Sequence, residues 1–245
     1  MQVTFWGTRG SIASPGPDTV RYGGNTSCVE VRAGDHVLVF DAGTGLRPLG
    51  VSLLKDCKDP PLTVHLFISH THWDHIQGFP FFMPAYRQGT QIHIYGAPGQ
   101  GKSLEKVLRG QMEADYFPVA LGDLAAGIDV HEFRAQGFEI GDVRVDALYL
   151  NHPPMNLAYR VAFGGRRLIY ATDHEPYAKT LDHLGQRGDE GRAFGERLDR
   201  DLIEFVTGAD LYMATRSTRT RSIRRASAGA TRRSARRSGW RSPRR

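Results

Sequence analysis

The chain has 245 residues, 40% hydrophobic and 24% charged, enough to bury a substantial core in one large globular domain or a domain plus a tail. Its formal net charge of +6 is uneven: residues 214–245 hold twelve Arg, no Lys and no acid, so residues 1–213 set 20 basic side chains against 26 acidic ones, a formal −6. A basic nucleic-acid binder would therefore rest wholly on the tail; no apolar run reaches the roughly 18 residues of a membrane span, and the N-terminus lacks a basic-then-apolar leader, so a cytoplasmic protein with no membrane partner is expected.

Short β-type runs dominate the first two thirds. Val3–Trp6 comes first, followed by a polar loop punctuated by Gly7, Gly10, Gly23 and Gly24, which either make turns or let backbone approach a ligand closely. Ser27–Val31 and Val37–Phe40 then read as a hairpin about the turn Ala33-Gly34-Asp35. Leu46–Lys55 has helical periodicity, and Thr63–Ile68 is a further strand. Strands are expected again at Gln91–Tyr95, Val143–Leu150, and Ala158–Phe163 with Leu168–Ala171 joined at Gly164-Gly165. Helices are expected at Lys102–Met112 and Phe194–Val206, the last on the apolar positions Leu198, Leu202, Ile203 and Phe205. Strands with interleaved helices and polar residues just past strand ends indicate an α/β sandwich of two sheets with helices outside. Cys28 and Cys57 form neither a CxxC pair nor a disulfide framework and read as small buried side chains in a reducing compartment.

The segment that carries chemistry is Ile68-Ser69-His70-Thr71-His72-Trp73-Asp74-His75, where an apolar strand runs into three His and one Asp within six residues. Each buried imidazole or carboxylate needs a polar partner, and a divalent cation satisfies several together. In an extended segment His70 and His72 point the same way and can grip one ion, while Asp74 and His75 begin the next turn and can reach a second. Strand ends deliver two more candidates, His152 and Asp173. Asp41, at the end of Val37–Phe40, has the same placement; it reads either as a turn-capping residue or, preferably, as a support that holds the histidine loop. His36, His65, His93, His131 and His183 stand singly and read as surface or core residues, whereas His174 and Glu175 adjoin Asp173 and stay open as site residues.

The HxHxDH string, the preceding strand-end Asp, the later His and the later Asp resemble the ordered motifs of the metallo-β-lactamase superfamily, over residues 1 to about 213. Gly7-Thr8-Arg9-Gly10-Ser11 and Tyr22-Gly23-Gly24-Asn25-Thr26-Ser27 resemble its ribonuclease Z and cyclic-phosphate phosphodiesterase branch. The resemblance implies a four-layer αββα sandwich, with His70, His72 and His152 on one Zn2+, Asp74 and His75 on another, Asp173 bridging both and Asp41 as the structural Asp. Mn2+ or Fe are alternatives.

The family's site also has one more His beyond Asp173 and a further loop His, yet no histidine follows His183. From Ala214 the composition turns to Arg, Ser, Thr and Ala, which cannot supply apolar faces for a last helix and strand, so the C-terminal part of the fold is expected to be incomplete. The tail reads as a basic arm, a solvated segment, or translation in the wrong frame. Codons built from the last base of one residue and the first two of the next allow Thr215–Arg224 to read DAQYTDAEYP and Gly229–Arg233 to read WGHST, similar to what the branch carries there. A hydrolase domain over residues 1–213 and a frameshifted, disordered tail over 214–245 are therefore expected, with the second metal site short of a ligand.

The expected activity is a metal-dependent phosphodiesterase using a metal-bridging hydroxide on a small cyclic nucleotide or cyclic phosphate, with Asp74 also orienting the water. Hydrolysis of a lactone or thioester on the same metals is the alternative. From other classes come a nucleic-acid-binding protein and a non-functional product of a damaged gene. A homodimer is left open.

Overall fold

The structure, a computed structural model, describes residues 1–59, 61–153, 155–177, 180 and 189–215. Among these, eleven strands build two sheets. The first comprises β1 (Gln2–Gly7), β2 (Cys28–Ala33), β3 (His36–Phe40), β4 (Leu62–Ile68), β5 (Thr90–Gly96) and β6 (Gly127–Glu132), side by side in that order. The second runs β11 (Leu211–Ala214), β10 (Arg166–Ala171), β9 (Asn156–Phe163), β8 (Val143–Leu150) and β7 (Gly137–Ile140). Strands β3 to β6 are parallel, as are β10 and β11, and the remaining pairs are antiparallel.

Residue patterning explains the layering. β4 is buried at every position but Thr63, as a strand covered on both faces must be, and its odd and even side chains enter different cores. Val64, Leu66 and Ile68 pack with Leu46, Leu49 and Leu53 of α1 (Leu46–Asp56) and with Leu104 and Leu108 of α3 (Leu104–Gly110). On the other face Phe67 joins Phe40, Tyr159, Tyr170 and the aliphatic side chains of β8 and β9 between the sheets. Leu202 and Phe205 of α4 (Asp189–Val206) cover Leu150, Ala158, Ile169 and Ala171 on the outer face of the second sheet. The molecule is thus a four-layer αββα sandwich. Tyr159 ties the sheets directly, donating its hydroxyl hydrogen to the Ile68 carbonyl at 2.7 Å.

The expected hairpins form. Gly164 and Gly165 both take positive φ, 56° and 75°, which suits a two-residue turn joining β9 to β10. Of the N-terminal glycines, Gly7 serves the chain itself: a Cβ there would stand 1.8 Å from the Thr26 carbonyl oxygen, so this is a close backbone crossing. Three strands escape the sequence pattern. β6 has only Ile128 and Val130 as apolar positions, β7 has four residues, and β11 includes Ala214, one residue past the expected domain end at 213. Cys28 and Cys57 are both free; Cys28 is buried as expected, but Cys57 is only half-buried at the end of α1.

His36, His65, His93 and His131, single in the sequence, are brought together because their strands β3, β4, β5 and β6 are consecutive neighbours in one sheet. His65 stacks on His93 with ring centroids 5.2 Å apart, and His93 lies 5.6 Å from His131. His183 and the segment 216–245, including the Arg-rich stretch, lie outside the described residues. Among the described residues no helix is long and apolar enough to cross a membrane.

Candidate metal centre

Four strands deliver their C-terminal ends to one rim of the sandwich: Asp41 follows β3, Ser69 and His70 follow β4, His152 follows β8 and Asp173 follows β10. α2 (Trp73–Ile76) is a single turn that starts from an extended His72 (φ −66°, ψ 150°), so the chain reverses between His72 and His75. Asp41 and Asp173 both adopt positive φ, 63° and 56°, a conformation that Asp tolerates better than most residues.

Asp41 is fully buried and does not face the rim. One carboxylate oxygen, Oδ1, accepts the Ser69 amide hydrogen at 2.8 Å; the other, Oδ2, accepts from the Ser69 hydroxyl at 2.9 Å, the Tyr170 hydroxyl at 2.6 Å and His75 Nδ1 at 2.6 Å. A carboxylate only accepts, so both ring nitrogens of His75 carry hydrogens here: Nδ1 donates to Asp41 and Nε2 to Asp173 Oδ2, 3.1 Å away. Burial works against charge on this ring, but Asp41 and Asp173 on either side raise its pKa to about 10.

The donor atoms form two sets that share His70. His70 Nε2 lies 3.0 Å from His72 Nδ1, which lies 3.1 Å from His152 Nε2. The second set joins His70, His75 and Asp173, with Asp173 Oδ2 3.5 Å from His70 Nε2 and 3.1 Å from His75 Nε2. Burial, then the charge on His75, holds His70 far below the ordinary imidazole range, and burial lowers His152 as well, so both rings keep lone pairs to offer. Burial opposes charge on Asp173, yet hydrogen bonds from His75 and Thr215 keep its carboxyl well below the usual carboxylate range. Bonds of about 2.0–2.1 Å to a tetrahedral ion need donors roughly 3.3–3.4 Å apart, and the three-histidine set closes to nearly that spacing without a chain movement, so these residues fit a divalent cation.

Asp74 belongs to neither set. Its Oδ2 is 3.5 Å from His75 Nε2 and accepts the Ser11 amide hydrogen at 2.7 Å, because the N-terminal loop folds over the rim and a backbone donor there draws the carboxylate. His174 also stands outside both sets; its Nδ1 accepts from the Asn151 amide at 3.2 Å and so braces the loop that carries His152. Glu175 bonds through its backbone to Asn151 in the same brace.

Several supports had no sequence signal of their own. Ser69 is visible only as the residue before His70. Tyr170 sits inside an apolar strand. Ser11 acts through its backbone and so could not be recognised by residue type. Thr215 accepts the Asp173 amide hydrogen at 2.6 Å and donates its hydroxyl to Asp173 Oδ1 at 2.5 Å.

A family model described as "Beta-lactamase superfamily domain" matches residues 36–189. The chain is 28% identical over 149 residues to a ribonuclease Z of Haloarcula marismortui, covering 57% of this chain and 43% of that protein. It is 30% identical over 164 residues to a ribonuclease Z of Methanothermobacter thermautotrophicus, covering 65% and 47%. These matches span less than half the length of those curated relatives. The solved structure of the short form of human tRNase Z superposes with a TM-score of 0.49 at 20% identity, covering 82% of this chain and 89% of that one. With more than half of its residues inside the matched domain, the chain belongs to the beta-lactamase superfamily.

Proposed function

We propose that the chain is a metal-dependent hydrolase of phosphodiesters. The observation that carries this reading is the pair of donor sets sharing His70 at one rim, His70/His72/His152 and His70/His75/Asp173. His70, His72 and His152 would hold one divalent cation, and His75 and Asp173, with Asp74 at the edge, a second; Zn2+ suits the imidazole-rich set, with Mn2+ or Fe as alternatives. When bound, two such cations supply Lewis-acid stabilisation of the charge that develops on phosphoryl oxygens.

The remaining roles belong to the chain. Asp41 holds the Nδ1 hydrogen of His75, so Nε2 stays aimed at the rim and would give up its own proton to a cation, and the Asp41 grip on the Ser69 amide and hydroxyl holds the start of the histidine segment. Asp74, held through Oδ2 by the Ser11 amide, is the carboxylate assigned to orient the attacking water. Trp73, 65% exposed beside Asp74, offers a ring face for a base or aryl group.

A small cyclic nucleotide or cyclic phosphate is favoured over a long RNA because residues 1–213 carry a net −6 and offer a polyanion little attraction. The ribonuclease Z relatives support phosphodiester chemistry in general and keep RNA as the competing substrate. The reading of residues 214–245 as an out-of-frame tail belongs to the same proposal, with its first two residues, Ala214 in β11 and Thr215 on Asp173, still packed on the domain, and is checked by resequencing the source DNA across codons 205–245.

A substrate panel tests the activity: a bis-aryl phosphodiester, a cyclic nucleotide, a short RNA, a lactone and a thioester, each with and without chelator. Phosphodiester turnover that chelator abolishes and His70→Ala removes is expected. Lactone or thioester turnover without any phosphodiester cleavage would overturn the assignment.

A further inference from the structure

We propose a second, independent cation site at the edge of the first sheet, built from His93, Asp129 and His131. Strands β5 and β6 pair in parallel with His93 opposite Asp129 and Tyr95 opposite His131. Residues two apart on a strand share a face, so one face collects a ligand from β5 and two from β6. The three donor atoms lie within 4.8 Å of one another. His131 Nε2 is 3.4 Å from His93 Nδ1, which is in turn 3.4 Å from Asp129 Oδ2. Both separations exceed those of a well-formed hydrogen bond and match the roughly 3.3–3.4 Å edge of a tetrahedron around an ion with bonds of about 2.0–2.1 Å.

The surroundings hold the donors in place. Gln91 Nε2 donates to Asp129 Oδ2 at 2.7 Å, orienting the carboxylate as a supporting partner does at a metal site. His65 stacks behind His93 at 5.2 Å and 16°, and Tyr95 stacks against His131 at 4.9 Å and 17°, so both rings are fixed in direction. Asp129 and His131 are exposed and His93 is half-buried, which leaves the remaining coordination positions to water.

This cluster is separate from the rim centre. His65, its neighbour on β4, precedes His70 by five residues, on the order of 16 Å at about 3.3 Å per residue. Two imidazoles and one carboxylate favour Zn2+, Ni2+ or Cu2+ over Ca2+ or Mg2+. Because, among the described residues, β6 ends the sheet and pairs with β5 alone, an ion shared between them clips an edge strand that backbone bonds secure on one side.

The test uses the full chain carrying His70→Ala and His72→Ala, which removes the one donor common to both rim sets and a second donor of the three-histidine set, stripped of metal by chelator and titrated with Zn2+ in equilibrium dialysis. One equivalent of Zn2+ is expected to bind and to raise the melting temperature. Adding His131→Ala or Asp129→Asn, both at exposed positions, should weaken that binding at least tenfold while leaving the metal-free melting temperature unchanged. With Cu2+ as probe, the electron paramagnetic resonance spectrum should show two nitrogen ligands, falling to one in His131→Ala. Absence of Zn2+ binding in the rim-centre variant, or binding that neither edge substitution weakens, would overturn the proposal.

Discussion

The Asp41 carboxylate oxygen Oδ2 lies 2.6 Å from His75 Nδ1, across 34 positions of sequence, and it is the contact on which the orientation of the candidate metal centre turns. The same oxygen takes hydrogens from Tyr170 and Ser69, so a fully buried charge is satisfied from β10, from the end of β4 and from the turn that carries His75. Asp41→Asn keeps the shape but offers those donors one oxygen and an amide. Cation affinity at the rim should fall about 10–100-fold, as for loss of other partners that hold a metal-binding imidazole. Competition against a calibrated chelator reads the change directly; an unchanged affinity would remove Asp41 from its supporting role.

Thr215 makes two hydrogen bonds to Asp173, one to its amide and one to its carboxylate. Thr215→Val preserves volume and deletes both. The bond to the charged carboxylate contributes about 1.5–3 kcal/mol, so binding at the His75/Asp173 set should weaken roughly tenfold or more, with a smaller loss at the three-histidine set. Isothermal titration with Zn2+ separates the two classes, and equal weakening of both would show that Thr215 acts on general stability instead.

Alkaline stability follows from two buried tyrosines. Tyr159 and Tyr170 are fully buried, and burial together with the charge of Asp41 pushes both hydroxyls well above 10. In the unfolded chain they ionise near 10, while the native chain keeps their protons. Stability is therefore unaffected below that pH and falls above it, by about 1.4 kcal/mol per pH unit for each tyrosine. Tyr159→Phe costs the bond to the Ile68 carbonyl at neutral pH but should remove one tyrosine's share of the alkaline slope in denaturant melts between pH 9.5 and 11. A slope identical to that of the parent protein would contradict this account.

Gly78 allows the turn after His75 to rest on the loop after β3. A Cβ there would stand 2.0 Å from the Gly43 carbonyl oxygen, while the Gly78 amide donates to the Ala42 carbonyl at 2.7 Å and the Ala42 amide to the His75 carbonyl at 2.7 Å. Since backbone must move to relieve the clash, Gly78→Ala should destabilise by about 3 kcal/mol or more and disturb His75. Gly10→Ala, where nothing lies within 4 Å of the added carbon, should stay within about 0.5 kcal/mol. Urea melts of the two variants compare them.

Much of the architecture was legible in the linear pattern because it is written in local terms. The continuous apolar run of β4, the double glycine between β9 and β10 and the helical period of α4 each depend on neighbours a few positions away. The donors His70, His72 and His75 are covalently close, so their convergence needs only one strand and one turn. The strands β6, β7 and β11 were missed because they are short or carry few apolar side chains and owe their state to a neighbouring strand.

The sequence by itself marked the candidate donors near His70, the ends of the strands β3, β4, β8 and β10 that carry them, and the acidic charge of residues 1–213. Only the tertiary structure decided that Asp41 grips His75, that the Ser11 amide donates to Asp74, that Thr215 holds Asp173, and that His93, Asp129 and His131 meet at a sheet edge. The reason is register: side chains from strands separated by tens of residues come into contact only when hydrogen bonding aligns those strands at one particular offset, and shifting a strand by a single residue would turn its side chains to the opposite face.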